Sequence, residues 1–463
     1  MLTRFQSLPI RFQAAMYALR GGFLVRPFLI TVVLGVAGAT LSSLEESTPL
    51  ISAWIPETLF PSRQDPQVAQ VILGAIAASV MTVVSIVFAI LLMTLTLAST
   101  QFSPRILISF VRDRTTQWTL GIFLGTFCYC VAALPAARAL PHPFLPAATV
   151  FGAMLLAVVC VGWLIFFINH ISQAISVNHI VDRIARDTEL VIDGYMPDTR
   201  GRLQTEPVDM GTAGTESSIL SRRSGYIRFV DVSHLLELAK AHHICVRVER
   251  RVGHFVPEGL PLLTVSRGDR VTADLAVDLL AAFDIGPTRT LQQDAEFGII
   301  QIVDIALRAI SPAVNDPSTA ITCIDQLSRV LIRWVSRRPP RSHHYAPPHV
   351  LRVIMPWITV DGLLDTAFEQ IRHYSEGDLA VSLRLLRAFD DIARAAPYAD
   401  LQRNLVERAR RVVAGCSQKL PEGELRKLQQ RLVVLESRLE SEGTRESSAL
   451  RTDRQTGGVG TRS

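Results

Sequence analysis

The chain has 463 residues, of which 49% are hydrophobic and 19% charged, with a formal net charge of +5 and a mean hydropathy of +0.28. That apolar share is high for a wholly water-soluble protein, and the charge is too plentiful for a wholly membranous one, so the chain must divide. Residues 1–170 hold nine Arg, no Lys and five acidic residues, while the remaining 38 basic and 37 acidic residues nearly cancel. A basic nucleic-acid surface is thereby excluded as the source of the high pI, since the larger part carries no basic stripe interleaved with aromatics.

Four stretches approach the ~20 apolar residues that cross a ~30 Å hydrocarbon core. They run over Phe28–Leu44, Ala69–Ala98, Trp118–Ala137 and Pro146–Ile168. The basic leader and Ala37-Gly38-Ala39 also resemble a cleavable signal peptide, although 26 residues make a long basic region for one. The second stretch has thirty residues without a formal charge; as a helix of ~45 Å it must tilt or project beyond the bilayer. Basic residues remain on the cytoplasmic side during insertion. Arg4, Arg11, Arg20 and Arg26 precede the first span, Arg63 alone lies in the acidic first loop, Arg105, Arg112 and Arg114 in the second, and Arg138 alone in the third. This alternation predicts that both termini and the large domain lie in the cytoplasm.

Within the second span Thr82, Ser85 and Thr96, with Ala78 and Ala89, share roughly one face. A hydroxyl face of this kind lines a water-filled path, or else lets helices approach closely while each hydroxyl bonds its own backbone. Pro104-Arg105 would form a turn coupling this helix to the next. No charged residue stands in the middle of a span, which argues against a proton-coupled pump. The six cysteines form no C-x-x-C pair, so no disulfide framework, zinc site or other cofactor is expected, and free thiols fit a reducing compartment.

Past the fourth span, Ile171, Ile175, Ile180 and Ile184 give one apolar face and predict a helical stalk over about 171–195. Residues 196–221 are rich in Pro, Gly, Ser and Thr and read as a linker. From 222 to about 440 a mixed α+β domain is expected. It begins with a helix at Ser233–Ala241 and a strand at Ile244–Arg250, followed by Gly253-His-Phe-Val-Pro-Glu-Gly-Leu-Pro-Leu, which reads as a hairpin without the lysine of a lipoyl carrier. A helix over Asp294–Ile310 presents Phe297, Ile300, Val303, Leu307 and Ile310 on one face and stops at Ser311-Pro312. Asp316-Pro317 then starts another helix, with Asp as its cap and Pro at its first position. Asp294, Glu296, Asn315 and Asp316 are therefore either a ligand or cation site or a capped helix junction. His343 and His344 read as solvated loop residues. A short strand at Leu351–Met355 and helices at Leu363–Tyr374, Gly377–Ala395, Asp400–Cys416 and Glu422–Glu440 complete the domain, and 441–463 is a polar tail.

Several segments together resemble a bacterial family of predicted inner-membrane proteins, domain of unknown function 2254. They are Gln101-Phe-Ser-Pro-Arg, Phe110-Val-Arg-Asp-Arg, Gly225-Tyr-Ile-Arg-Phe-Val-Asp, Gly253-His-Phe-Val-Pro-Glu-Gly, Phe297-Gly-Ile-Ile-Gln-Ile-Val-Asp and Ser311-Pro-Ala-Val-Asn-Asp-Pro-Ser-Thr-Ala. The resemblance covers about 15–435 and implies a multi-span membrane protein without an assigned catalytic residue. Two function classes follow: an oligomeric channel or passive transport protein, because four helices alone scarcely enclose a hydrated path, or a membrane-anchored sensor or scaffold with a cytoplasmic protein partner. No nucleophile–base pair, H-E-x-x-H or phosphate loop supports an enzyme.

Overall fold

The computed structural model describes residues 24–48, 66–101, 114–137, 146–174, 176–196, 215–396 and 398–438. The chain separates into two units, Met1–His179 and Ile180–Ser463. The leader, the Pro104-Arg105 turn, most of the 196–221 linker and the 441–463 tail lie outside the described residues.

In the first unit, the described residues contain four helices long and apolar enough to cross a membrane. They are α1 (Val25–Ser47), α2 (Pro66–Gln101), α3 (Arg114–Ala133, continued by a tight turn at Leu134–Ala136) and α4 (Ala147–Ala174). At ~1.5 Å per residue the 36-residue α2 is about 54 Å long, longer than expected from the sequence.

Small residues bring α1 and α3 together. Gly121 and Gly125 of α3 lie under Ile30 and Leu34, and a Cβ added to Gly38 of α1 would stand 2.5 Å from the Tyr129 carbonyl oxygen. Lipid tails are as apolar as leucine, so packing of this closeness replaces the hydrophobic effect as the force between spanning helices. The bundle interior is filled by Leu73, Ala77, Val80 and Val87 of α2 against Phe123, Tyr129, Cys130, Cys160 and Phe167.

Glu45, expected in the first loop, instead occupies the last turn of α1 and is 1% exposed. Its carboxylate accepts hydrogen bonds from the Ala148 and Thr149 amides at 2.8 and 3.0 Å and from Thr149 Oγ1 at 3.0 Å. The first amides of a helix have no partner of their own, and here a side chain from another helix caps α4.

The second unit starts within α5 (Val177–Tyr195), which follows α4 after a break rather than as one continuous helix. Two sheets then form: β1 (Ser217–Leu220), β3 (Val246–Val248), β5 (Pro261–Val265), β7 (His343–Ala346) and β8 (Val350–Ile354) in the order β1-β5-β3-β8-β7, and β2 (Gly225–Val230), β4 (Phe255–Val256) and β6 (Phe283–Gly286) in the order β4-β2-β6. Among the described strands only the β3–β8 pairing is parallel. Both sheets share a core with α6 (Val232–Ala241) and α7 (Ala273–Ala281), including Ile227, Leu235, Val246, Val256, Leu263 and Leu279.

Two expectations need correction here. Gly253–Leu262 is not a hairpin: β4 pairs with β2, whereas β5 pairs with β1 and β3. The turn at Pro257–Leu260, with Gly259 at φ +80°, passes the chain from one sheet to the other. His343 and His344 are likewise not solvated loop residues, because they pair with Ile354 and Val353 in β7 and are half-buried.

Helices complete this unit: α8 (Ala295–Ala309), α9 (Pro317–Val335), α10 (Val360–Leu364, then a wide turn at Asp365–Glu369 and a last turn at Gln370–Tyr374), α11 (Leu379–Ala395), α12 (Ala399–Cys416) and a final helix over 422–438. The face expected for α8 is too narrow, since the helix is central and buried on Ile299, Ile302, Ile305 and Ala306 as well as Phe297 and Val303. The architecture is thus a four-span α-helical membrane unit followed by an α+β unit.

Glu45→Ala leaves two buried amides of α4 unmet, at a cost of about 2 kcal/mol, and Glu45→Gln, which keeps one acceptor, falls between it and the parent. Thermal unfolding of the purified protein in detergent is expected to rank the three in that order. Gly38→Leu is expected to lower the midpoint as well, by separating α1 from α3.

Candidate functional site

The four residues singled out at the α8–α9 junction fall into two separate places. Asp294 caps the start of α8 by accepting from the Phe297 amide at 3.1 Å. Asp316 caps α9 by accepting from the Thr319 amide at 3.1 Å and its hydroxyl at 2.6 Å. Asn315, at φ 49°, adopts the left-handed conformation that Asn tolerates better than most residues. This lets the Asp316 amide donate to the Ala309 carbonyl at 2.8 Å. The 15 residues of α8, about 22 Å at ~1.5 Å each, separate the first pair of residues from the second.

At the start of α8 the carboxylates meet two arginines that sequence reading did not associate with them. Arg251 grips Glu296 through both terminal nitrogens at 2.8 and 3.0 Å. Arg289 grips Asp294 at 2.8 and 2.9 Å and also reaches Glu296 at 2.8 Å. Its guanidinium stands 5.6 Å from the centre of the Phe297 ring, within cation–π range. Gly253, at φ +87°, permits this arrangement, because a Cβ there would collide with Asp294 and come 2.6 Å from Arg289.

Two guanidiniums balance two carboxylates, so a cation would have to displace an arginine to bind. Among the described residues no group of three or more His, Cys, Asp or Glu side chains is placed to hold a metal ion. Burial alone would raise the Glu296 pKa, but the hydrogen bonds from Arg251 and Arg289 reverse that and bring it to about 2. Beside the cluster lies a cavity of about 30 Å³, bordered by Tyr195, Trp334 and Trp357, with room for about one water molecule. Burial first, and the Asp231 charge second, push the Tyr195 hydroxyl up to about 12.

Another charged assembly fixes α5 against α9. Arg329 reaches Asp182 at 2.8 Å and Glu189 at 2.6 Å, while Arg333 and Arg337 both meet Asp193 at 2.8 Å. Arginines four residues apart lie on one helical face, and acids seven and eleven apart lie on another. That pairing of spacings was the available sequence signal. Hydrogen bonding from Arg333 holds Asp193 below the usual carboxylate range. Close behind, Gly298 of α8 faces Thr188 of α5 so tightly that a Cβ would clash, which accounts for a glycine inside a buried helix.

In the membrane unit the hydroxyls of Thr82, Ser85 and Thr96 donate to the carbonyls of Ala78, Met81 and Leu92 at 3.0, 3.1 and 2.9 Å. Together with Ala78 and Ala89 they face outward from the single-chain bundle.

Four helices apolar and long enough to cross a bilayer, joined to an α+β unit, define the class as a membrane protein, and the comparisons with known proteins agree. Residues 20–391 match the family model described as predicted membrane protein (DUF2254), and the chain belongs to that family. It is 33% identical over 414 residues to uncharacterized protein Mb1321c of Mycobacterium bovis and, to the same extent, to uncharacterized protein Rv1290c of Mycobacterium tuberculosis, covering 87% of this chain and 76% of each relative. No solved structure matches it.

Because the Glu296 pKa is depressed in the folded state, its pairing stabilises the protein fully above about 4.5, its ordinary value, and the contribution disappears as pH falls towards about 2. The unfolding midpoint measured against pH is expected to decline across that window and to decline less in Glu296→Gln. Arg251→Ala, which removes one partner from a largely buried pair, is expected to cost roughly 3 kcal/mol by the same measurement at neutral pH.

Proposed function

We propose that the protein is an oligomeric inner-membrane channel or passive transport protein, in which α2 helices from several copies line a path across the bilayer and the α+β unit lies in the cytoplasm. The observation that carries this reading is the two-sidedness of α2. Leu73, Val80 and Val87 close the interior of the single-chain bundle, whereas Ala78, Thr82, Ser85 and Ala89 point away from it. A path through the middle of one copy would have to displace that packing. A path between copies would be bordered by a face whose hydroxyls can also exchange bonds with water. The alternation of Arg between short loops supports the orientation.

The second reading is a membrane-anchored sensor or scaffold with a protein partner. It is favoured by the ladder in which Arg329, Arg333 and Arg337 grip the acids of α5, the helix that follows the last span in the chain, because a helix held in register by charge pairs transmits displacement well.

Purified protein in liposomes is expected to pass small ions, and Thr82→Trp and Ser85→Trp are expected to return the flux to that of empty liposomes. A monomer in both detergent and lipid, or flux indifferent to these substitutions, would rule the channel out. Partner retention by the full-length Arg329→Ala/Arg333→Ala variant, compared with the parent, tests the second reading.

A further inference from the structure

Among the described residues the five-stranded sheet ends at β1, which has β5 on one side and no strand on the other. Its open side borders a groove of about 560 Å³ shared with α7. Ser217, Ser218, Ile219 and Leu220 all line this groove. Successive side chains of a strand point to opposite faces, so four consecutive lining residues mean that the backbone edge itself borders the space. Sheet edges are ordinarily guarded by charge, proline or a covering element, yet these four residues are uncharged. Val271, Ala276 and Leu280 contribute partly buried apolar surface packed on the core. Leu220 is 48% exposed, and Leu260 and Val277 nearby are 41% and 43% exposed.

We propose that the β1–α7 groove binds an extended peptide segment of another protein, which adds a strand to β1, places an apolar side chain against Val271, Ala276 and Leu280, and sets an acidic side chain opposite Arg222. The backbone dictates the extended form: a helix has already paired its own amides and an acyl chain has none to offer, whereas a strand supplies donors and acceptors in register along the edge. Charge selects the acidic residue. Arg222 lines one end of the groove and Arg223 follows it, neither with an ion pair among the described residues; Glu258 at the same end offsets only one of them.

The test pans random heptapeptides displayed on phage against the full-length protein in nanodiscs, with empty nanodiscs as the control. Enriched sequences are expected to alternate apolar residues and to carry Asp or Glu. Ala276→Arg, on the half-exposed side of α7, is expected to abolish the enrichment without moving the unfolding midpoint, and Arg222→Glu to turn the preference towards Lys or Arg. N-methylation of alternate amides in an enriched peptide is expected to remove its binding. The proposal is overturned by a lack of enrichment over empty nanodiscs, by enrichment that survives Ala276→Arg, or by binding indifferent to N-methylation. It is also overturned by self-association of the protein that Leu220→Asp abolishes, which would make a second copy the occupant.

Discussion

Carboxylates placed on the free amides of helix starts hold much of this protein together. Glu45 does so for α4 from another spanning helix, and Asp294, Asp316 and Asp378 do so for α8, α9 and α11 from their own chain positions. The physical demand is the same each time: unpaired amides are costly where water is excluded, and a carboxylate both accepts their hydrogen bonds and complements the positive end of the helix dipole. Around α8 the demand propagates outward. Asp294 is buried in capping the helix, Arg289 neutralises it, and Arg289 also reaches Glu296, which Arg251 holds from the other side. Position 253 must then remain glycine for the guanidinium to fit.

The parts legible in the sequence were those set by local chemistry. Long apolar runs announced the spans, and Asp316-Pro317 announced the start of α9 because cap and proline act within one turn. Partners distant in the chain were not legible. Glu45 looks like a loop acid until Ala148 and Thr149, more than a hundred residues later, are brought to it. Arg251 and Arg289 give no sign that they share Glu296. The Gly253–Leu262 segment has the composition of a hairpin, but strand pairing is decided by which neighbours are available, and β2 and β3 claim its two strands for different sheets.

Glycines show the same division. Gly121 and Gly125 of α3, Gly38 of α1 and Gly298 of α8 all stand where another helix's side chain or backbone comes within ordinary contact distance or closer. The four-residue spacing of Gly121 and Gly125 is visible in the sequence and marks a helix contact. Its partner, α1, is not. In the α+β unit, Gly298 serves the stalk helix in the same way, so close packing by small residues is used both where lipid surrounds the helices and where the core is ordinary protein.

The two faces of α2 draw these constraints together. Its inner face is bulky and packed against α3 and α4 through Leu73, Val80, Val87 and Leu91. On its outer face the hydroxyls already bond their own backbone, so they cost little in lipid, permit close approach by another helix, and can still offer a second hydrogen bond to water. A face with that tolerance is compatible with a path only where several copies turn it inward together, since a lone copy would spend it on lipid. Conduction and assembly are therefore one question in this fold, whereas a sensor or scaffold role would depend on the charge-paired stalk and would leave the α2 hydroxyls with packing alone.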